Sequence, residues 1–510
     1  MQVKKIAALC ALACAAMAGS AQAALTPAQI SVLDTANAGT RVFFLSGASA
    51  VQGGLTTIET SLFNAGSFRL ANTTGSSKDF EAIAGTFAAG TGPWAGQTGV
   101  FIYRVKGGSV FGVNSVARAE AIQTLVVKST NCGTGGTGTA GSPYTCDVSD
   151  GSVAKPNRVP DAGVSDVAPK FFQPDFNTEG ETPAAALTVA ELANFSSITP
   201  LFSLAFGPAV TNNVSTTLNK AAVSAIMTGN VGTWDQVDAS LPADDINICR
   251  RVQGSGTQAV FNNYFGGFPC DSTSNVPAAR DASVAWIGDT DNAYYTGVTG
   301  RKVGDYYVSG TEGGIVVIEN SSSGDVRNCL TAAANPAGAT YATKNRDGAA
   351  VTVTFAPKAG GHKAIGVLSL DSIGSAKPIT ESTPSWSFRA LDGNGSLSCN
   401  NEINCPKTIG PVSVGSGKFP LQASLIDGTW DTQGWVSYNV PNSTAGDANK
   451  GPLATRLQVL AQDPAVLAAV PSFKYVTAAL PAPFSSYSGA GVTRAVYLGG
   501  DQCAPLNRNN

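Results

Sequence analysis

A strand, a small-residue turn and a helix occur twice in this chain, and that pairing constrains its fold more than any other feature. The β-branched and aromatic run Thr40 to Leu45 passes through Ser46-Gly47-Ala48-Ser49 into Val51, Leu55, Ile58 and Leu62 at helical spacing. Ile246-Asn247-Ile248-Cys249 passes likewise through Arg250-Arg251-Val252-Gln253-Gly254-Ser255-Gly256-Thr257 into a helix carrying Val260, Phe261, Tyr264 and Phe265. Two such units predict an α/β chain of two lobes. Between them Leu218, Ala222, Val223, Ile226 and Met227 predict a helix that stops at Gly229-Asn230. The Gly/Thr-rich stretch Gly133 to Gly141 and the stretch Ser372 to Ile409 read as inserted loops, and no fixed-period repeat is evident.

Charge and composition narrow the function. With 32 Lys+Arg against 35 Asp+Glu, the formal charge is -3 and the charged fraction only 13%, which excludes a basic nucleic-acid binder. The 43% of hydrophobic residues can bury large cores. Lys4 and Lys5 precede an apolar stretch from Ile6 to about Gly19, followed by the small-x-small site Ala21-Gln22-Ala23. This predicts a signal peptide over 1–23 and an exported mature chain from Ala24, periplasmic or extracellular. A lipoprotein signal at Ala11-Leu12-Ala13-Cys14 is the alternative, with Leu off the preferred place. No later segment reaches the roughly 20 apolar residues of a membrane helix, so no membrane span is expected in the mature chain.

Eight cysteines remain beyond that signal: Cys132, Cys146, Cys249, Cys270, Cys329, Cys399, Cys405 and Cys503. An even count in an oxidising compartment reads as disulfides. Proximity ranks Cys132 with Cys146, Cys249 with Cys270 and Cys399 with Cys405, leaving Cys329 for Cys503, among about 105 connectivities. The spacings lack a CxxC pair and His362 is the lone histidine, so neither a metal nor any other cofactor is expected.

A Gly/Ser-rich turn entering a helix offers unpaired backbone N–H groups and a partial positive charge, a ready anion site. At Gly254-Ser255-Gly256-Thr257 the glycines admit close approach, Ser255 and Thr257 add hydroxyl donors, and Arg251 supplies a fork-shaped permanent charge. An ordinary capped helix with a surface Arg is the plain alternative.

The order of such turns resembles that of the phosphate-binding proteins of bacterial ABC importers, type 2 periplasmic binding proteins. Gly47-Ala48-Ser49, Gly107-Gly108-Ser109 and Ser165-Asp166-Val167-Ala168-Pro169 follow the family's order. They are succeeded by Met227-Thr228-Gly229-Asn230 with Thr233-Trp234-Asp235, and then by Arg250 to Thr257. Lys363-Ala364-Ile365-Gly366-Val367 resembles the segment that returns to the first lobe, and Gly417-Lys418-Phe419-Pro420-Leu421 a near-terminal strand. The matches span about Thr40 to Trp430; the cysteine-bearing loops and the last ~80 residues have no counterpart.

The resemblance implies a two-lobe fold with two crossovers and disulfide-pinned insertions, with lobe I at 24–195 and 366–510 and lobe II at 196–365. It implies a phosphate or similar oxyanion held in the cleft by Ser49, Ser109, Asp166, Arg251, Ser255, Gly256 and Thr257, with Ala50, Gln253 and Gly254 also lining the site. Hydroxyls and backbone N–H groups would donate, Arg251 would balance charge, and Asp166 would accept the proton of hydrogen phosphate and repel sulfate. Read alone, Asp166 is a helix cap before a proline. Two positions depart from the pattern: Gln253 stands where the family carries an acid, and Ala50 where it carries an aromatic. They leave open phosphate, another oxyanion, or a retained fold without tight binding.

An ABC permease is the implied partner and no catalysis is expected. The lone histidine and the lack of a G-x-S-x-G turn argue against a hydrolase. His362 reads as a hinge or surface residue. Trp94, Trp386, Trp430 and Trp435 read as core, with a sugar-binding surface as the alternative. The competing function is an extracellular structural or adhesive protein that uses its extra loops for contacts.

Overall fold

The computed structural model describes residues 24–74, 78–133, 135–173, 175–178, 186–216, 218–252, 254–271, 285–287, 306–344, 350–375, 384–389, 391, 422–428, 430–473, 477–480 and 491–508. The expected signal peptide, Gln253, Cys399, Cys405 and the segment Gly417 to Leu421 lie outside them.

Both strand–turn–helix units form. The first is β1 (Val42–Gly47) followed by α1 (Gln52–Thr60), in which Leu55 and Ile58 are buried. β1 is buried at every position because parallel strands flank it on both sides: β4 (Thr98–Arg104) and β6 (Ala162–Ser165). That burial explains why its sequence is a continuous apolar run rather than an alternating one. The predicted middle helix is α2 (Lys220–Met227), capped by the Asn219 side chain and ended by Gly229 in the left-handed conformation at φ 74°. The second unit is β8 (Asn247–Arg251) and α3 (Gly256–Gly266).

The strands join one sheet of 14 strands among the described residues. Its first half runs β5 (Tyr144–Thr145), β2 (Phe68–Ala71), β3 (Phe80–Thr86), β4, β1, β6 and β16 (Gln433–Pro441). The second half runs β14 (Ala364–Ser369), β8, β11 (Val316–Asn320) and β9 (Ala285–Ile287). The long strand β7 (Phe195–Thr211) joins the halves: Phe195 to Ala205 pair with β16, and Phe206 to Val210 pair with β14.

The pairing therefore sets the first passage between halves at Ala205/Phe206, ten residues beyond the expected 195/196. β14 spans the expected return at 365/366 and stays in the second half. So does β15 (Trp386–Phe388), which pairs with the end of β7. The chain re-enters the first half at Gln433, opposite Ala205. A buried apolar strand looks the same in sequence whether it crosses between lobes or lies within one.

Three disulfides are present among the described residues. Cys132–Cys146 forms as expected and pins the Gly/Thr-rich loop. Cys249 pairs with Cys329, not with Cys270, and Cys270 pairs with Cys503, so Cys329–Cys503 does not form. The reason is packing: α4 (Ser323–Ala334) lies against β8, which puts Cys329 over Cys249. Trp94, Trp386, Trp430 and Trp435 are all buried, as core packing requires and a sugar-binding surface does not. His362 is fully buried rather than at the surface; its Nε2 is 2.8 Å from the Ala356 carbonyl and its ring meets Phe355 edge-on. No helix among the described residues is long and apolar enough to cross a membrane.

Candidate functional site

The candidate turns share one location rule. β1, β4 and β6 are mutually parallel and end at Gly47, Arg104 and Ser165, leading to Ser49, Ser109 and Asp166 respectively. β8, parallel to β11 and β14, ends at Arg251 and leads to Gly254 through Thr257. In open α/β sheets ligands bind outside the carboxyl ends of such strands, where helix N-termini present their N–H groups.

The two halves meet at these turns. The Val110 N–H donates to the Gly254 carbonyl at 2.9 Å, and the Gly254 N–H donates to the Asn177 carbonyl at 2.6 Å. Gly254 takes φ 83°, a conformation costly for a residue with a Cβ. Ser255 caps α3, its Oγ accepting from the Gln258 N–H at 3.4 Å, which leaves its hydroxyl proton available as a donor. At Gly256 an added Cβ would lie 2.4 Å from Ser109 Oγ and 2.8 Å from Asp166 Cβ, so only glycine fits where the lobes touch.

Asp166 is the polar centre of this junction. It is 2% exposed; its N–H donates to Ser109 Oγ at 3.2 Å, and its Oδ2 accepts from Thr257 Oγ1 at 3.2 Å across the lobes. Its Oδ1 is buried with no hydrogen-bond partner among the described residues. Burial raises its pKa from 3.8 to about 6, against the opposing pull of the Thr257 hydrogen bond and the Arg251 charge. A buried carboxylate oxygen without a donor is costly, and a ligand proton would satisfy it.

Arg251 is 2% exposed. Its guanidinium donates from Nη1 to Ser323 Oγ at 3.2 Å and from Nη2 to the Ser321 carbonyl at 3.0 Å, and its N–H donates to Gln258 Oε1 at 3.2 Å. Ser321 and Ser323, at the carboxyl end of β11 and the start of α4, were not singled out from sequence. The apolar run Ile315 to Ile318 followed by Ser321-Ser322-Ser323-Gly324 carries the same strand–turn–helix signature as the other turns.

The structure thus gathers Ser109, Asp166, Arg251, Gly254, Ser255, Gly256 and Thr257. Ser49 is half-buried and Ala50 buried on the turn after β1, which is fixed to β6 by the Ala48 N–H donating to the Val164 carbonyl at 3.0 Å. That places them beside the strand that carries Asp166, and the Ser49 hydroxyl makes no hydrogen bond to the cluster among the described residues.

With this geometry in hand, comparison with known proteins gives the class. Residues 200–384 match the family model of the PBP superfamily domain. It covers the half of the sheet that carries β8, Arg251 and α3. The fold is α/β, of the type 2 periplasmic-binding-protein kind, with disulfide-pinned loops.

No curated protein matches the chain. Among solved structures it is similar to PstS from Borrelia burgdorferi, at 11% identity and TM-score 0.33 over 86% of this chain and 98% of that one. It is similar to the phosphate-binding protein from Stenotrophomonas maltophilia, at 12% identity and TM-score 0.34 over 92% and 100%. A third is a periplasmic phosphate-binding protein solved with phosphate (PfluDING), at 13% identity and TM-score 0.35 over 85% and 90%.

Proposed function

We propose that this chain is an exported solute-binding protein that captures phosphate or a similar oxyanion between two lobes, expected at 24–195/366–510 and 196–365 and divided by strand pairing near 205/206 and again before Gln433, and delivers it to an ABC permease. The observation that carries the reading is the buried Asp166 carboxylate. It faces Thr257 across the junction, near the Arg251 charge, at the carboxyl ends of strands from both halves. Thr257, Ser255, Ser109 and Ser49 are the proposed hydroxyl donors, and Arg251 the balancing charge. Hydrogen phosphate brings a proton for Asp166 Oδ1, whereas sulfate brings only lone pairs. Closure about β7 and β16 would complete the site by hinge motion.

A second reading has an observation of its own. Arg251 is already held by Ser321 and Ser323 within the second half, and Gly256 already touches Ser109 and Asp166, an arrangement that also suits a closed scaffold using its loops for contacts. Calorimetry of phosphate-stripped mature chain with phosphate, arsenate and sulfate separates the two. Micromolar phosphate binding that is lost in Arg251→Ala and Asp166→Ala proteins supports the receptor. Absence of binding by all three anions overturns it in favour of the scaffold.

A further inference from the structure

The C-terminal residues Asp501 to Cys503 run between the two halves of the molecule. Gln502 is buried, and its side chain grips the first half: Oε1 accepts from the Ala168 N–H at 2.8 Å and Nε2 donates to the Trp435 carbonyl at 2.8 Å. Asp501 pairs with Lys170, and Tyr497 donates to the Gln433 carbonyl at 2.8 Å. Toward the second half, the Gln502 carbonyl accepts from Asn263 Nδ2 on α3 at 3.2 Å, and Cys503 is bonded to Cys270 just beyond the end of that helix.

Helix α3 is therefore fastened to the first half at both ends. Its N-terminal end is held by hydrogen bonds from Val110 to Gly254, from Gly254 to Asn177 and from Thr257 to Asp166, and by the close packing of Gly256 on Ser109 and Asp166. Its C-terminal end, about 16 Å away along 11 residues, is joined covalently to the strap, which the Gln502 hydrogen bonds and the Asp501–Lys170 pair hold to the first half. A cavity of about 290 Å³ bordered by Lys220, Tyr264, Asp431, Gln433 and Gln502 lies beside that end, and the Tyr264 hydroxyl donates to Asp431 at its edge. The N-terminal hydrogen bonds can exchange with water one at a time at little net cost, whereas parting the C-terminal end requires the disulfide-linked strap to give up all of its contacts with the first half together.

We propose that the strap Asp501–Cys503 is a stop on lobe opening, in which the Cys270–Cys503 disulfide confines the separation of Asp166 from Thr257 to a small pivot of α3 about its C-terminal end. The stop acts whatever the cleft binds.

The test compares full-length wild type with Cys270→Ser/Cys503→Ser by hydrogen exchange and small-angle scattering. Exchange should quicken about tenfold in the peptides over Val164 to Pro169 and Ser255 to Val260, stay unchanged over Val42 to Leu45, and be accompanied by a larger radius of gyration. Unchanged exchange at the junction overturns the stop. Equal quickening at the junction and over Val42 to Leu45 also overturns it, since the disulfide then stabilises the whole fold rather than limiting a hinge.

Folded wild type treated with a dithiol gives the same reading without asking the variant to fold. The dithiol delivers two electrons and two protons to the S–S bond, leaving the Cys270 and Cys503 thiols and its own cyclic disulfide. Alkylation with mass analysis then identifies the molecules open at Cys270 and Cys503 but not at Cys249 and Cys329.

Discussion

Replacing Asp166 by Asn removes the charge at the lobe junction while keeping an oxygen to accept from Thr257, and the consequence can be worked out from the pKa. The Asp166 carboxyl titrates at about 6 in the folded chain against 3.8 for the exposed group. The folded state therefore binds more protons than the unfolded state between those values, so this group's contribution to stability falls as pH rises through the interval and stays low above about 6. The full span is about 3 kcal/mol, because each tenfold change in proton affinity is worth about 1.4 kcal/mol.

The new amide adds a fixed offset from its Nδ2 group, so the diagnostic quantity is the change with pH of the difference between the two proteins. Urea unfolding of ligand-free wild type and Asp166→Asn at pH 4 and pH 8 should show the variant gaining about 2 kcal/mol on wild type over that interval, because pH 4 already lies just inside it. Glu59 and every other titrating group is common to both proteins and cancels. Parallel stability–pH curves would refute a desolvated Asp166 at the junction, and with it the role given to its unpartnered oxygen.

Other expectations follow from the same geometry. Anion discrimination should weaken as pH falls through about 6, where Asp166 gains its own proton and can donate to sulfate; calorimetry with sulfate at pH 5 and pH 8 checks this. Gly256→Ala puts a methyl group 2.4 Å from Ser109 Oγ, so the junction must part. Anion affinity should drop about tenfold or more, since overpacking costs about 1–3 kcal/mol, with a larger radius of gyration in scattering.

Glu59, buried on α1 with Oε1 unpartnered among the described residues, has its pKa raised by burial to about 8 and stays neutral in the folded chain at pH 7. Glu59→Gln should show a stability advantage that grows with pH from about 4.5 to 8, reaching about 3 kcal/mol near pH 7 in thermal unfolding. Cys249→Ser/Cys329→Ser opens a loop of 80 residues and should lower unfolding stability by about 4 kcal/mol in a denaturant titration.

What could be read from residues alone was local. The run Thr40 to Leu45 and the helical spacing after it, the cap and stop of α2, and the turn Gly254 to Thr257 are each written in a dozen neighbouring residues, and each formed. So did Cys132–Cys146, separated by 14 positions. The order of the turns, carried by a family resemblance, also picked out most of the residues that meet at the junction. Ser321 and Ser323 were missed because nothing in their own segment says that Arg251 will lie against it.

The sequence by itself determined the α/β class, because hydrophobic periodicity and turn chemistry act over distances shorter than one element. Tertiary structure decided the rest. Cys249 found Cys329 only because α4 packs on β8, and Cys503 reached Cys270 across 233 positions by way of the strap. His362 is buried because the turn after Phe355 folds it under Ala356. The crossing point moved to Ala205/Phe206 because a 17-residue strand can change partners midway without a change in its composition. Asp166 became a perturbed carboxyl because Gly256, far from it in sequence, lets the start of α3 pack against it and bury it. Pair contacts at such separations are fixed by packing the elements together, and no short-range pattern encodes them.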